Sequence, residues 1–375
     1  MNKERKILFL ANIPSPYRVD FFNEFGKLCN LTVTFEGEKA TDRNEKWGGK
    51  EAEHFKAIYL NGIRYNAEQF LCLDIVKILK KNWDVIIVGV YSSLTSILAI
   101  EYMKRHHMKF IISADGGFIV SESKMKYKLK RHLISSASYW LSTGRTTTEY
   151  LVHYGAQKDK CYIFPFTSLL REDVERAKVI AYKDKKIYKD KLKIKENKVI
   201  LSVGQFIYRK GFDLLIKSVN GIPSDTGIYI IGGKLTNEYS LLKEEYHADN
   251  IHFIDFLNKE ELIDYYAAAD IFVFPTREDI WGLVINEALA YGLPVLTTDK
   301  CIAGLELIHE EINGWIIPAD NLEKLIEKLQ SILKIDDLGE YRNSCIEISK
   351  AYTIENMAFI HYEILDRILN KNEEN

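Results

Sequence analysis

The stretch that decides the fold runs from Ala269 to Thr298 and joins two apolar segments through a loop and a helix. It begins with Ala269-Asp-Ile-Phe-Val-Phe-Pro275, which predicts a buried strand. Asp279-Ile-Trp-Gly-Leu-Val-Ile-Asn-Glu287 follows and continues into Glu287-Ala-Leu-Ala-Tyr-Gly292, a helix with a glycine at its end. Leu293-Pro-Val-Leu-Thr-Thr298 predicts the next parallel strand. A helix N-terminus at the carboxyl end of a parallel strand is a place where open α/β sheets bind anionic ligands.

Two carboxylates lie on this stretch, at Asp279 before the helix and at Glu287 about one turn inside it. Because they are separated along the chain, they reach different parts of one long ligand. Carboxylates on either side of helix amides suit a ligand that carries both phosphates and vicinal hydroxyls.

The stretch resembles the E-x7-E signature of family four of the retaining glycosyltransferases, the group 1 enzymes of the GT-B fold. The usual form reads Glu-Gly-Phe-Gly-Leu, then three residues, then Glu-Ala. The register of Gly282 puts Asp279 at the first acid and Glu287 at the second. Asp279 is one methylene shorter than the usual Glu, and the neighbouring Glu278 is the alternative first acid. The resemblance implies an α/β protein with the GT-B fold, in which two Rossmann-like domains face each other across a cleft.

Strand and helix patterns alternate along both halves of the 375 residues, which predicts two doubly wound domains. A charge-dense segment, residues 181–198, predicts a linker and an exposed helix. We therefore predict an acceptor-binding domain over residues 1–180 and a nucleotide-sugar-binding domain over residues 199–353. The resemblance alone assigns the last helix, residues 354–370, to the first domain. Strands are predicted at Lys6–Ala11, Leu31–Phe35, Lys56–Leu60, Val85–Gly89, Lys109–Ser113, Tyr139–Ser142, Cys161–Phe164, Val199–Val203, Ile228–Ile231, Ile251–Ile254, Ile271–Phe274 and Val295–Thr297.

The composition, 47% hydrophobic and 28% charged, is that of a soluble globular protein. The five cysteines are scattered without a C-x-x-C pair, which argues against a disulfide framework or a zinc site. The only early apolar run, Ile7–Ala11, is too short for a signal peptide, so we expect a cytoplasmic protein. Residues 1–178 carry 28 Lys and Arg against 20 Asp and Glu, and the remainder carries 23 against 33. The basic half suits an anionic partner, but no nucleic-acid recognition motif accompanies it.

A second loop with phosphate-binding chemistry is Val203-Gly-Gln-Phe-Ile-Tyr-Arg-Lys-Gly211, between a predicted strand and a helix. Gly204 lets a phosphate approach the backbone, and Arg209 and Lys210 bring positive charge to neutralise a departing diphosphate. The loop resembles the family's Gly-Arg...Lys-Gly motif and aligns Lys210 with its lysine. Gln205 replaces the family's arginine, and Arg209 is placed to restore that charge.

The resemblance also implies a role for each of these residues. Glu287 would bind the ribose hydroxyls, Asp279 the sugar hydroxyls near the reacting carbon, and Lys210 the diphosphate. The resemblance places the base near Asp255 and Phe256 and the turn beneath the nucleotide at Gly232. The candidate catalytic residues are Asp279, Glu287, Lys210 and Asp115. The candidate donor-binding residues are Gly204, Gln205, Arg209, Lys210, Gly232, Asp255, Phe256, Asp279, Ile280, Trp281, Gly282, Leu283, Val284 and Glu287.

In the first domain, two loops follow predicted strands and would face the same cleft. Ala11-Asn-Ile-Pro-Ser-Pro-Tyr-Arg18 is stiffened by two prolines, and Tyr17 and Arg18 would contact the acceptor or the donor phosphate. Ser113-Ala-Asp-Gly-Gly117 carries Asp115 where many relatives have a histidine that contacts the donor sugar. Asp115 would accept hydrogen bonds from sugar hydroxyls or bind the acceptor. The candidate acceptor-binding residues are Tyr17, Arg18, Asp115, Gly116 and Gly117.

A basic segment, Ser123-Lys-Met-Lys-Tyr-Lys-Leu-Lys-Arg-His-Leu133, predicts a helix with dense positive charge. It is either a solvated face or a surface that attracts anionic lipid headgroups or a lipid diphosphate. We expect peripheral contact with the inner face of the cell membrane. The candidate lipid-surface residues are Lys124, Lys126, Lys128, Lys130 and Arg131.

The sequence analysis thus predicts a retaining glycosyltransferase of the bacterial surface-polysaccharide type. We expect a nucleotide-diphosphate sugar donor, with UDP as the nucleotide, and a saccharide or lipid-diphosphate-linked saccharide acceptor. No strand-flanked D-x-D motif for a metal–nucleotide complex is present, so we expect no metal and no cofactor. Two alternatives remain open: a sugar-nucleotide 2-epimerase of the same fold, and a non-catalytic homologue that only binds sugar nucleotides.

Overall fold

The computed structural model describes residues 5–38, 51–65 and 69–373. The chain divides into two compact units. The first comprises Met1–Leu170 together with Thr353–Asn375, and the second comprises Arg171–Tyr352. Each unit is built on one parallel sheet with helices between its strands, which confirms the α/β prediction.

The first unit contains a seven-stranded parallel sheet in the order β3-β2-β1-β6-β7-β8-β9, and a two-stranded antiparallel hairpin, β4-β5. Its strands are β1 (Lys6–Ala11), β2 (Asn30–Phe35), β3 (Lys56–Tyr59), β4 (Ile63–Arg64), β5 (Phe70–Leu71), β6 (Val85–Val88), β7 (Ile111–Ala114), β8 (Tyr139–Ser142) and β9 (Cys161–Ile163). Its helices are α1 (Pro16–Gly26), α2 (Ile75–Leu79), α3 (Leu94–Arg105), α4 (Lys124–Ile134) and α5 (Arg145–His153), with the last helix of the chain, α15 (Ile354–Glu373), packed against α1.

The second unit contains a six-stranded parallel sheet in the order β12-β11-β10-β13-β14-β15. Its strands are β10 (Lys198–Val203), β11 (Thr226–Ile231), β12 (Ile251–Ile254), β13 (Ile271–Phe274), β14 (Val295–Thr298) and β15 (Gly314–Ile317). Its helices are α6 (Arg171–Ala181), α7 (Lys185–Leu192), α8 (Phe212–Ser218), α9 (Asn237–Glu245), α10 (Lys259–Ala268), α11 (Leu283–Ala290), α12 (Ile302–Leu307), α13 (Leu322–Ile332) and α14 (Gly339–Ser349).

Both sheets are doubly wound, because the chain proceeds from the first strand of each unit to one side and later returns to its other side. In the first unit the order reverses between β1 and β6, and in the second between β10 and β13. Such a reversal opens a crevice at the carboxyl ends of the two central strands, where α/β sheets bind ligands. The two loops with phosphate-binding chemistry follow β10 and β13, so they meet at the reversal of the second sheet.

Burial on both faces explains why apolar and polar residues do not alternate along the central strands. All four residues of β13 are at most 1% exposed, because helices cover both faces of a parallel sheet. Burying side chains of this size stabilises the fold by about 1.5–3 kcal/mol each.

Local signals fix where the helices begin: Ser123 caps α4 by accepting a hydrogen bond from Lys126 N, and α10 begins with a capping box between Asn258 and Glu261.

The unit boundary lies at Leu170, ten residues before the predicted end of the first domain at residue 180. The segment predicted as a linker and an exposed helix, residues 181–198, contains the helix α7 and belongs to the second unit. Its lysines make contacts within that unit, because Lys185 contacts Asp270 at 2.9 Å and Lys191 contacts Asp264 at 2.6 Å. Strand β15 and the β4-β5 hairpin were not among the predicted strands.

Candidate functional site

The loops after β10 and β13 are joined by their backbones. Arg277 N donates to Arg209 O at 2.8 Å, and Thr276 Oγ1 donates to the same carbonyl at 2.9 Å. Gly211 makes this approach possible, because a Cβ at that position would lie 2.0 Å from Pro275 O. Gly211 also has φ +72°, a left-handed conformation that glycine adopts without strain. The two loops therefore form one rigid edge at the crevice of the second sheet.

At this edge Lys210 and Asp279 form an ion pair. Lys210 Nζ lies 2.5 Å from Asp279 Oδ2, and the two side chains are only 13% and 12% exposed. The ammonium also lies 4.8 Å from the centre of the Phe274 ring, which provides further cation–π stabilisation. The sequence placed both residues in the donor site, and the structure brings their charged groups into direct contact.

The structure also distinguishes the two candidates for the first acid. The Asp279 side chain is buried, whereas Glu278 is exposed. The Glu278 carbonyl accepts from Arg209 Nη1 at 2.8 Å and from Thr276 Oγ1 at 3.0 Å. Arg209 Nη1 lies 3.7 Å from Asp279 Oδ2, so a second positive charge stands beside the carboxylate. This geometry favours Asp279 over Glu278, and its role as the first acid remains a prediction.

Segment 300–303 holds the loop that carries Asp279. Asp279 N donates to Lys300 O at 2.8 Å, and Ala303 N donates to Trp281 O at 2.8 Å. Trp281 is buried, and its indole N–H donates to Asn286 Oδ1 at 2.8 Å inside the first turns of α11. These bonds fix the loop before any ligand arrives, which is the preorganisation that electrostatic stabilisation requires.

Helix α11 begins in this loop, after Gly282 in a left-handed conformation with φ +100°. A Cβ on Gly282 would lie 2.8 Å from Cys301 Sγ, so the close packing favours glycine as well. The first amides of a helix have no intrahelical acceptor and carry the positive end of its dipole. Leu283 and Val284 supply these amides and are half-buried.

Glu287 lies in the second turn of α11 and has a partner that the sequence analysis missed. Tyr266 on α10 donates a hydrogen bond from its hydroxyl to Glu287 Oε2 at 2.8 Å. Burial, together with the Glu287 carboxylate, raises the pKa of Tyr266 well above its usual value, so the phenol stays protonated and donates. Tyr291 stacks on the Tyr266 ring at 5.0 Å. The hydroxyl therefore orients the Glu287 carboxylate.

Arg277 is a second residue that sequence reasoning missed. Its guanidinium makes a bidentate contact with Asp213 at 2.7 and 2.8 Å, contacts Asp320 at 2.8 Å, and lies 3.9 Å from the centre of the Tyr208 ring. The hydrogen bonds with Asp213 raise the pKa of Arg277, so the guanidinium stays charged. The sequence signal that could have identified Arg277 was its position just after β13, at the carboxyl end of the strand.

The remaining candidate donor residues lie on neighbouring strand ends. Gly232, after β11, contacts the Gly204 loop so closely that a Cβ on it would lie 1.6 Å from Gly204 O. Asp255 and Phe256 follow β12, one strand further along, where Asp255 Oδ1 accepts from Phe256 N at 2.6 Å. Gln205, at the family's arginine position, is exposed, and so is Ile280.

In the first unit, the candidate acceptor residues form a pair of their own. Arg18 on α1 forms an ion pair and hydrogen bond with Asp115, which follows β7. Burial alone would lower the pKa of Arg18, but the Asp115 carboxylate and Tyr17 together more than offset this effect, so the net shift of the pKa is upward. Phe166 lies 5.5 Å from the guanidinium and 6.0 Å from the Tyr17 ring. Asp115 Oδ1 is buried and has no hydrogen-bond partner among the residues that the structure describes.

The loop after Asp115 is packed against aromatic rings. Gly116 and Gly117 follow the carboxylate, and a Cβ on Gly117 would lie 2.9 Å from the Tyr150 ring. The Tyr150 hydroxyl is hydrogen-bonded to Tyr91 at 2.5 Å. This packing fixes the backbone on which Asp115 stands.

The basic segment forms α4, as predicted, but one of its lysines is not on the outer surface. Lys130 Nζ lies 2.9 Å from Glu122 Oε2 and 4.9 Å from the centre of the Tyr154 ring, and its side chain is only 19% exposed. Lys130 therefore does not belong to the predicted lipid surface, because its ammonium group pairs with Glu122 inside the unit. Lys124, Lys126, Lys128 and Arg131 are exposed.

The described residues contain neither a metal-binding cluster nor a helix that could cross a membrane. Among residues 5–38, 51–65 and 69–373, no three His, Cys, Asp or Glu side chains converge to hold a metal ion. In that same part of the chain, no helix combines the length and the apolar character needed to cross a bilayer. Metal independence remains a prediction.

With this geometry established, comparison with known proteins identifies relatives. Residues 184–352, nearly the whole second unit, match the family model described as glycosyl transferases group 1. An uncharacterized glycosyltransferase of Haemophilus influenzae is 26% identical over 66% of this chain and 73% of its own. An N,N'-diacetylbacillosaminyl-diphospho-undecaprenol alpha-1,3-N-acetylgalactosaminyltransferase of Campylobacter jejuni is 21% identical over 70% of this chain and 72% of its own.

A solved structure extends the likeness to the fold of the whole chain. Anabaena HepE in complex with UDP superposes with a TM-score of 0.72 and covers 99% of this chain and 100% of its own. The two sequences are 14% identical, so this likeness shows a shared fold.

Proposed function

We propose that the chain is a retaining group 1 glycosyltransferase of the GT-B fold that uses a nucleoside-diphosphate sugar, and the match of residues 184–352 to the group 1 family model supports this. The donor we propose is a UDP-sugar, and the acceptor is a saccharide or a lipid-diphosphate-linked saccharide. The setting we propose is the assembly of a bacterial polysaccharide or glycan.

The observation that carries this proposal is the Lys210–Asp279 pair at the reversal of the second sheet. One edge there offers an ammonium, a carboxylate and the N-terminus of α11. A sugar diphosphate needs these groups together: positive charge for the phosphates and an acceptor for the sugar hydroxyls. The Tyr266–Glu287 hydrogen bond, in the second turn of the same helix, supplies an oriented carboxylate for ribose hydroxyls.

In the reaction, the bond between the anomeric carbon and the diphosphate oxygen breaks, and negative charge develops on the leaving oxygens. The acceptor hydroxyl oxygen bonds to the anomeric carbon, and its proton passes to the leaving diphosphate. Lys210, with Arg209 beside it, would stabilise that charge, and the amides of Leu283 and Val284 would add to it. Asp279 would hold the sugar near its anomeric carbon, which becomes oxocarbenium-like. Lys210 has three donors, so it can keep one hydrogen bond to Asp279 while it binds phosphate.

For the acceptor we propose the Arg18–Asp115 pair and the adjoining Tyr17 and Gly116–Gly117 backbone. The support is Asp115 Oδ1, a carboxylate oxygen that has no hydrogen-bond partner within the described part of the chain. A hydroxyl from a sugar would satisfy it, which fits the preference of buried polar atoms for partners. The Campylobacter relative bears the name of an enzyme that acts on a diphospho-undecaprenol-linked sugar, which supports a lipid-linked acceptor for this chain. Such an acceptor lies at a membrane surface, so we propose peripheral contact with an anionic membrane from the cytoplasmic side.

The proposal is tested by incubating the protein with UDP-glucose, UDP-galactose and their N-acetylated forms, together with short saccharide and lipid-diphosphate-saccharide acceptors. Transfer would be followed by UDP release and by mass spectrometry of the acceptor, and NMR of the new linkage would give its anomeric configuration. We expect transfer with the donor's configuration retained. An inverted product would refute the retaining assignment.

The same assay separates the two alternatives. An epimerase would release a free epimerised sugar and UDP in the absence of acceptor. A non-catalytic homologue would bind UDP without releasing it from any donor. Lys210→Met serves as the matched inactive control, because it removes the ammonium from the proposed site while retaining a side chain of similar length.

A further inference from the structure

Thr276, two residues after β13, hydrogen-bonds to both loops of the candidate donor site. Its Oγ1 lies 2.9 Å from Arg209 O and 3.0 Å from Glu278 O, so the one hydroxyl proton is shared between two carbonyls. The side chain is fully buried, which excludes water as a competing partner. Arg209 immediately precedes Lys210 in the chain. Glu278 immediately precedes Asp279, so the hydroxyl ties together the two peptide units that carry the ion pair.

Other buried hydroxyls at this end of the sheet have simpler partners. Ser202 Oγ donates to Val273 O at 2.6 Å. Thr297 Oγ1 donates to Phe274 O at 2.9 Å. Each of these bonds joins one strand to its neighbour inside the sheet. Thr276 instead bridges two loops beyond the strands, where a hydrogen bond sets the positions of functional groups rather than the pairing of strands.

A second hydroxyl holds Thr276 itself in place, since Thr298 Oγ1, at the end of β14, donates to Thr276 O at 2.6 Å. The two carbonyls that Thr276 bridges have further donors. Arg277 N donates to the Arg209 carbonyl at 2.8 Å. Arg209 Nη1 donates to the Glu278 carbonyl at 2.8 Å. Each carbonyl therefore keeps a donor when the Thr276 hydroxyl is removed, so that loss should shift the loops rather than unfold them.

We propose that Thr276 is a positioning residue for sugar transfer, whose hydroxyl fixes the spacing between the Lys210 ammonium and the Asp279 carboxylate. The inference rests on the proposed function, in which Lys210 would bind the leaving diphosphate while Asp279 would hold the sugar. Two groups on opposite sides of the breaking bond must keep a set spacing, because misplacement by about 1 Å lowers a rate by about 100-fold. Because Thr276 is fully buried, it acts through these two side chains and not by contact with the donor.

The test compares Thr276→Val, which removes the hydroxyl and keeps the branched shape, with Thr276→Ser, which keeps the hydroxyl. UDP release would be measured with whichever of UDP-glucose, UDP-galactose and their N-acetylated forms the wild type uses. We expect Thr276→Val to lower kcat by about 10- to 100-fold. UDP affinity, from calorimetry, should fall by no more than about threefold, because the substitution removes no group that contacts the nucleotide. Thr276→Ser should keep more than about half of the wild-type kcat, because its hydroxyl can make the same bonds.

Thr226→Val is the matched control, because it makes the same substitution at another fully buried threonine of the second unit. Thr226 lies on β11, and its Oγ1 has no hydrogen-bond partner among the described residues. This variant should keep the kcat and the UDP affinity of the wild type, since it loses no bond that reaches the site.

A double-mutant cycle with Lys210→Met separates positioning from a general loss of structure. If the hydroxyl acts through the ion pair, adding Thr276→Val to Lys210→Met should lower the rate by less than about threefold further. A merely structural role would give two losses that multiply, together with a lower urea midpoint for Thr276→Val. If Thr276→Val did not fold, Thr298→Val would carry the test, because it removes the bond that holds the Thr276 peptide. We expect the same coupling to Lys210→Met from Thr298→Val.

The outcomes distinguish a failure of this inference from a failure of the proposed function. An unchanged kcat in a folded Thr276→Val variant, or losses that multiply in the double variant, would overturn the positioning role, while an active wild type left the proposed function standing. A wild type that bound none of UDP, GDP and ADP would refute the proposed function and the positioning role with it.

Discussion

Replacing Lys210 with methionine tests the chemistry of the Lys210–Asp279 edge. The ammonium lies 2.5 Å from Asp279 Oδ2. In the proposed reaction it would bind the leaving diphosphate. Loss of one such preorganised donor slows a reaction by about 100- to 1,000-fold, or about 2.7–4 kcal/mol in transition-state stabilisation. We expect that loss in the initial rate of UDP release with donor and acceptor saturating.

The same substitution has a separate effect on stability. It leaves the Asp279 carboxylate without its partner, and removal of one member of a fully buried pair costs about 3–5 kcal/mol. Both side chains keep some exposure, 13% and 12%. We therefore expect Lys210→Met to lower the free energy of unfolding, measured by urea titration, by about 1–3 kcal/mol. Lys210→Met combined with Asp279→Asn should recover most of that stability and none of the activity.

Lys324→Met is the matched control. Lys324 also pairs with a carboxylate, Glu327, at 2.6 Å, but in solvent on α13 of the same unit. Lys324→Met should leave the rate of UDP release and the free energy of unfolding close to their wild-type values. If Lys210→Met kept more than about a third of the wild-type rate and UDP affinity, the reasoning about the diphosphate would fail, since a lost charge contact in the site requires a larger effect.

Three other substitutions and one additive follow from the structure. Tyr266→Phe should weaken UDP binding about tenfold by calorimetry, because the hydroxyl no longer orients Glu287 and such bonds to charged groups are worth about 1.5 kcal/mol or more. His361→Leu should flatten the dependence of stability on pH. Burial lowers the pKa of His361 to about 3, so acidification below about 6.5 protonates the unfolded chain first and removes about 1.4 kcal/mol per pH unit from the wild type. Gly211→Ala should cost about 2 kcal/mol or more in the free energy of unfolding and slow transfer, because its Cβ would lie 2.0 Å from Pro275 O. EDTA should leave the transfer rate unchanged.

Each of these has an outcome that contradicts it. Unaltered UDP affinity in Tyr266→Phe would show that Glu287 needs no orienting partner. An unchanged slope in His361→Leu between pH 4 and 6, measured by urea titration, would place the titrating group elsewhere. For Gly211→Ala, the control is Gly233→Ala. Gly233 has φ +109°, but a Cβ added there would have no atom of the described residues within 4 Å. An equal loss of unfolding free energy in the two variants would mean that backbone strain alone causes it. Loss of activity in EDTA that added Mg²⁺ restores would refute metal independence.

The sequence predicted those parts of the structure that local pattern determines. Strand β10 was predicted over Val199–Val203 and spans Lys198–Val203, because a run of buried apolar residues ends at a glycine. Strand β15 was missed although its Trp-Ile-Ile run, between Gly314 and Pro318, was a readable strand signal. Its glycine is required by tertiary packing, since a Cβ would lie 2.1 Å from Val295 O on β14.

For the candidate site, the sequence identified loops but not partners. The spacing of Asp279 and Glu287 was readable within one stretch, whereas Tyr266 lies 21 residues from Glu287 on another helix. Nothing in a helical pattern distinguishes a tyrosine that bonds a carboxylate from one that only packs. The charge-dense segment 181–198 indicated an exposed helix, but density of charge does not show that Lys185 will pair with Asp270 inside the second unit.

The central claim is that the second unit binds a nucleoside diphosphate at the edge formed by Lys210, Asp279 and Glu287. Calorimetric titration of the wild type with UDP, GDP and ADP tests it most directly, with Glu287→Ala titrated in parallel and its folding checked by circular dichroism. We predict saturable binding of UDP that is weakened at least about tenfold in the variant, since a charged hydrogen-bonding partner of the ribose is removed. The absence of saturable binding for all three nucleotides, or equal UDP affinity in the folded Glu287→Ala variant, would contradict the claim.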